Sequence, residues 1–225
     1  MRKINLTKIP YFDKVLIVTV ILISLLFWNS LVIYPIKLFV VLLHEISHGL
    51  AAILTGGKIE NIVINYQLGG SCSTINGNHF IIAFAGYIGS LFWGASLFYF
   101  SFDINKLKIF TSILAFIFLY FSANYITGGI GIVFSLFLII FLLVIPRFFS
   151  FYTNKIIFSI IGLISCLYVV TDIKEDIFVS EFRITDAQIL SETIGFSPFF
   201  WGIIWLIISL SIIYFLIKPK LLKKH

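Results

Sequence analysis

The sequence predicts an all-α polytopic membrane protein, with about seven transmembrane helices and a β-hairpin inserted between the second and third spans, in a single domain over residues 1–225. Three observations carry this reading. Hydrophobic residues make up 60% of the chain and charged residues 12%, with a mean hydropathy of +1.09, whereas soluble domains run at roughly 45–50% and about 25%. Seven segments meet or approach the roughly 20 apolar residues that cross a hydrocarbon core. One polar stretch, residues 56–80, shifts the hydrophobic pattern to period two. The composition excludes a disordered chain, which needs low hydrophobicity and high charge.

The apolar segments cover residues 15–33, 35–55, 81–100, 107–122, 130–145, 156–171 and 199–217. The first is read as a retained span, because it outruns the roughly 7–15 residues of a signal-peptide core and lacks a small-residue exit. In residues 56–80, Ile62, Ile64 and Tyr66 alternate with Asn61, Val63 and Asn65 before a Gly69-Gly70 turn, the pattern of a hairpin. Along the third span Gly86, Ser90 and Gly94 recur every fourth residue. That spacing lets helices approach closely and suits the second span or any other. The fourth and fifth spans are short, separated only by residues 123–129. Residues 172–197 gather Asp172, Glu175, Asp176, Glu181, Asp186 and Glu192, and within them Thr185-Asp186-Ala187-Gln188 has the form of a capping box opening a short helix. Trp201 and Trp205 share a face of the last span and read as interfacial belt residues. Alternate crossings put the N-terminus, the hairpin and the acidic segment on one side.

The net charge of +6 comes from 16 Lys+Arg against 10 Asp+Glu. Arg2, Lys3, Lys218, Lys220, Lys223 and Lys224 sit beside apolar runs, which points to the lipid bilayer rather than nucleic acid as their partner. Cys72 and Cys166 have no second Cys or His at metal spacing, so neither a disulfide framework nor a thiolate zinc site is expected.

In the middle of the second span stands His44-Glu45-Ile46-Ser47-His48. Residues four apart share a helix face, so both imidazoles can point at one metal ion while Glu45 reaches a water bound to it. This is the H-E-x-x-H arrangement of zinc peptidases, in which the Glu is the general base. Two histidines and a glutamate inside an apolar span cost several kcal/mol unless paired or ligated. The alternative is a catalytically inactive membrane protein in which they form a polar network or a proton pathway. A pathway, however, would space ionisable groups along several spans. His79, alone in the turn over residues 76–79, reads as a surface histidine. The strand of Asn61, Ile62, Val63, Ile64, Asn65 and Tyr66 is the candidate substrate-binding element, since an extended peptide or membrane-protein substrate could gain main-chain hydrogen bonds along it.

With this motif in a span, a Gly-Gly hairpin after it and Ala85-Gly86-Tyr87 opening the next span, the chain resembles the site-2-protease class of intramembrane zinc metallopeptidases, most closely its small B-like branch of bacteria and plants. The matching stretches are residues 44–57 (HEISHGLAAILTGG), 85–94 (AGYIGSLFWG), 168–177 (YVVTDIKEDI) and 185–205. The resemblance implies a Zn2+ enzyme that hydrolyses peptide bonds of membrane-associated proteins, in the plasma membrane of a bacterium. It makes His44 and His48 ligands and Glu45 the base. The class takes its third ligand from an Asp in a Leu-Asp-Gly motif, which this sequence lacks. Asp186, followed by a small residue and an apolar helix, is the nearest counterpart; Asp172, at the end of the sixth span, is the alternate, with Asp176 or His79 behind them.

Overall fold

The computed structural model describes residues 12–178 and 185–222. Arg2, Lys3, Glu181, Lys223 and Lys224 lie outside them, as do the side chains of Glu175, Asp176 and Lys220. The elements run α1 (Phe12–Leu26), α2 (Tyr34–Leu54), β1 (Lys58–Ile64), β2 (Gly70–Ile75), α3 (His79–Phe100), α4 (Ile104–Asn124), β3 (Ile126–Thr127), α5 (Gly129–Phe148), α6 (Phe151–Phe178), α7 (Asp186–Ile194) and α8 (Pro198–Leu222).

Six of the described helices, α2 to α6 and α8, are long and apolar enough to span a membrane. The expected first span contains a shorter described helix. Its helix α1 has 15 residues, about 22 Å at 1.5 Å per residue, and gives way to turns before α2. The cause is local: Asn29 and Ser30 favour turns over helix, and Pro35 restarts the helix at its first turn, where a missing N–H costs nothing. α1 is held by the pairing of Asp13 with Lys155 of α6, and the Lys155 ammonium lies 5.0 Å from the Phe102 ring centre. Lys37 is buried within α2, its ammonium 4.6 Å from the centre of the Trp28 ring.

Polar residues set the ends of several helices. Asn78 caps α3 by accepting the Ile81 N–H at 3.1 Å. Asp103 caps α4, and the Lys106 and Asn105 backbone N–H groups hold its carboxyl below the usual range. The capping box expected at α7 is present. The Thr185 N–H donates to Gln188 Oε1 at 2.9 Å, and the Gln188 N–H donates to Thr185 Oγ1 at 3.3 Å. Nine residues are too few for a stable isolated helix, and α7 docks on α3 and α8 through buried Ala187 and Leu190.

The hairpin differs from its expected form in two ways. Its strands pair antiparallel from Lys58↔Ile75 to Ile64↔Gly70, so Asn65 and Tyr66 belong to the turn and Gly70 opens β2. A third strand, β3, pairs parallel with β1 at Ile62↔Ile126 and Val63↔Thr127, giving the order β2-β1-β3. The sheet lies along α2: β1 leaves the C-terminal end of that helix, and the Tyr34 hydroxyl at its start donates to the Tyr66 carbonyl at 2.9 Å. Non-helical backbone at membrane depth is tolerated only where its polar groups are satisfied or face a water-filled cavity. The two-residue β3 serves that requirement, since the Ile62 N–H donates to the Tyr125 carbonyl at 2.8 Å beside it.

The small residues of α3 divide between two neighbours. Gly86 faces α2, whereas a Cβ at Gly94 would lie 2.9 Å from the Ser165 Cβ on α6. Trp201 and Trp205 are buried rather than forming an interfacial belt. The Trp201 Nε1–H donates to the Gly195 carbonyl at 3.0 Å, and the Trp205 ring packs 4.6 Å from that of Tyr87.

Candidate metal centre

α2 carries His44 and His48 one turn apart, their ring centres separated by 4.6 Å. α7 delivers Asp186 as its first residue, placing Oδ2 3.0 Å from His44 Nε2 and 3.3 Å from His48 Nε2. The three candidate ligand atoms all lie within 4.8 Å of one another.

The surroundings fix how the imidazoles present themselves. His48 Nδ1 lies 2.6 Å from the Ile82 carbonyl, and a carbonyl can only accept, so Nδ1 carries the proton and a neutral ring turns its Nε2 lone pair toward Asp186. An imidazole whose far nitrogen donates to a backbone carbonyl is the usual support of a metal ligand. Behind the pair stands Gly86, where an added Cβ would fall 2.5 Å from His44 Nε2 and 2.6 Å from His48 Cε1. The Tyr87 ring meets that of His44 edge-on, 5.0 Å between centres.

A metal ion fits these residues. Asp186 Oδ2 is buried and makes no hydrogen bond despite facing two ring nitrogens. A lone pair and a carboxylate oxygen turned toward each other repel, and a cation between them removes the conflict. Two imidazole nitrogens and one carboxylate oxygen form a donor set that suits a divalent ion with one position left open.

Glu45 is buried and stands outside this group of three, against the start of β2. A Cβ at Gly70 would fall 2.4 Å from its Oε1. The carboxyl and the imidazoles line one cavity of about 400 Å³, which also receives Ser71, Cys72, Thr74, His79, Asp172 and Thr185. Burial, with Glu45 beside it, pushes the Cys72 thiol up to about 12.

The peptidase M50B-like family matches this chain over residues 17–216. The chain belongs to that family. No curated protein and no solved structure matches it.

In this M50B-like protein, then, His44, His48 and Asp186 come together with Glu45 beside them. Asp172 lines the same cavity outside the three, and His79 is exposed on its wall. Asp176 falls among the side chains not described. Of the strand Asn61 to Tyr66, Ile62 and Val63 pair on both sides, with β2 and with β3. β2 has no outer partner strand among the described residues, and it is β2, not β1, that borders the cavity. Sequence reasoning missed Gly70 and Leu68 as cavity residues. The Gly69-Gly70 pair marked a turn, and nothing in it told that the turn would lie against Glu45.

Proposed function

We propose that this chain is an intramembrane zinc endopeptidase that hydrolyses peptide bonds of membrane-associated polypeptides. The observation that carries the reading is the convergence of His44, His48 and Asp186 beside Glu45 in a member of a peptidase family. Zinc bound by the three would supply a Lewis acid and a water acidified toward neutrality. Glu45 takes the proton of the attacking water and passes it to the leaving amine nitrogen. The Ile82 carbonyl keeps His48 oriented while this happens. The resemblance to the B-like branch supports a bacterial plasma membrane as the location.

Purified protein is expected to carry about one zinc per chain by mass spectrometry and to cut membrane-peptide substrates. Glu45→Gln should keep the metal and lose at least about 100-fold in kcat, the lower bound for removing a positioned general base. Wild-type turnover in that variant would make another group the base; unchanged zinc in a His44→Ala/His48→Ala double variant overturns the metal assignment, and a wild type that cuts no substrate favours an inactive protein.

A peptide must leave its helical hydrogen bonds before its carbonyl can be attacked. The double pairing of Ile62 and Val63 moves the proposed substrate edge from β1 to β2, where Gly70, Ser71, Cys72 and Thr74 border the cavity. An extended substrate added there replaces its lost bonds with main-chain ones. Substrate peptides N-methylated at single positions are expected to show alternating losses of about 2–10-fold in kcat/KM, one hydrogen bond each. Uniform tolerance along the peptide removes the edge-pairing idea and leaves the metal chemistry untouched.

A further inference from the structure

The hairpin turn holds a bulky residue in a conformation that disfavours one. Leu68 has φ of 62°, in the left-handed region where Cβ crowds the following carbonyl. The turn around it is tied down. The Asn65 N–H donates to the Gly69 carbonyl at 2.9 Å. Asn65 Oδ1 accepts the Gln67 and Gly69 N–H groups at 2.9 Å each, and Tyr34 holds the Tyr66 carbonyl. Glycine or asparagine would satisfy this backbone with less strain. Strained residues persist where the surroundings over-determine them, and they cluster at functional sites.

The side chain shows what the strain achieves. Tyr66 and Gln67 are exposed, but Leu68 turns inward, packs on the main core and lines the cavity that holds His44, Glu45 and Asp186. That cavity combines, in its lining, the candidate metal ligands with the apolar side chains of Leu68, Val41, Ala83, Tyr87 and Ile189. Its volume, about 400 Å³, is near the lower end of the roughly 300–1,000 Å³ usual for ligand sites. A peptide group bound at the metal ligands would bring its flanking side chain among these apolar residues.

We propose that Leu68 is a specificity-determining residue: it closes the apolar subsite beside the scissile bond and restricts the substrate there to small side chains such as glycine, alanine or serine. This rests on the endopeptidase reading. The strained turn aims the leucine, and the leucine sets the depth of the subsite.

Leu68→Gly tests this well, because glycine accepts the positive φ and removes the side chain at once. The full chain in lipid nanodiscs is compared with the variant on peptides that differ only in alanine, leucine or phenylalanine on either side of the cut. The wild type is expected to favour alanine. Leu68→Gly should narrow the alanine-to-phenylalanine ratio of kcat/KM by at least about tenfold, the discrimination that one or two methylene groups provide. The same shift should appear in the Kd ratio of uncleaved peptides for each chain carrying Glu45→Gln. Should Leu68→Gly lose its fold, Leu68→Asn, also at home in the left-handed region, carries the same comparison. An unchanged ratio in a folded variant overturns the role of Leu68 alone. If the wild type neither binds nor cuts any peptide of the series, the endopeptidase reading falls and takes this inference with it.

Discussion

Gly86→Ala is expected to abolish productive metal binding while leaving the fold in place. Its Cβ would stand 2.5 Å from His44 Nε2 and 2.6 Å from His48 Cε1, closer than non-bonded atoms approach. Both contacts are to imidazole rings, which can swing aside, so the backbone crossing of α2 and α3 survives at an overpacking cost of about 1–3 kcal/mol. What does not survive is the convergence of the two ring nitrogens on Asp186. Zinc affinity, measured by competition with a chromophoric chelator, should fall beyond the roughly 10–100-fold lost when a ligand's supporting group is removed. Gly94→Ala is the control on the same helix. Its Cβ would press on Ser165 of α6 at 2.9 Å, so it should lower thermal stability yet leave zinc affinity near wild type. Wild-type zinc affinity in Gly86→Ala would show that the imidazoles have room the geometry denies them.

Asp186→Ala should likewise weaken zinc binding by more than about 100-fold, since it removes one of three protein donors rather than a supporting group. Asp172→Ala should stay within a few-fold of wild type. Both carboxylates line the cavity, but Asp186 alone lies within ligand distance of both histidines. The comparison also separates ligation from helix capping, because a carboxylate in the first turn of a helix contributes only about 0.3–1 kcal/mol through the dipole. If Asp172→Ala loses the metal and Asp186→Ala keeps it, the third ligand is Asp172 and the two imidazoles must turn toward α6 when metal binds.

The features legible in the sequence are those whose cause lies within a few residues along the chain. His44 and His48 share a face because helical period is local, and Thr185 with Gln188 forms the capping box because its two hydrogen bonds join residues three apart. Apolar length marked the spans, although in the first the helix gives way to turns at Asn29 and Ser30 before Pro35 inside an otherwise apolar run. Period two marked the hairpin, although the turn fell a few residues earlier than the Gly-Gly pair implied. Spacing of small residues marked α3 as a packing surface without telling which glycine meets which neighbour, since Gly86 and Gly94 look alike until α2 and α6 are set against them. β3 carries no periodic signal in two residues, yet it decides which edge of the sheet stays open. The meeting of Asp186 with His44 and His48, the seating of Glu45 against Gly70 and the inward turn of Leu68 all join segments far apart in the chain. Such contacts arise only when helices and sheet pack together, because their energy belongs to surfaces that no single segment possesses.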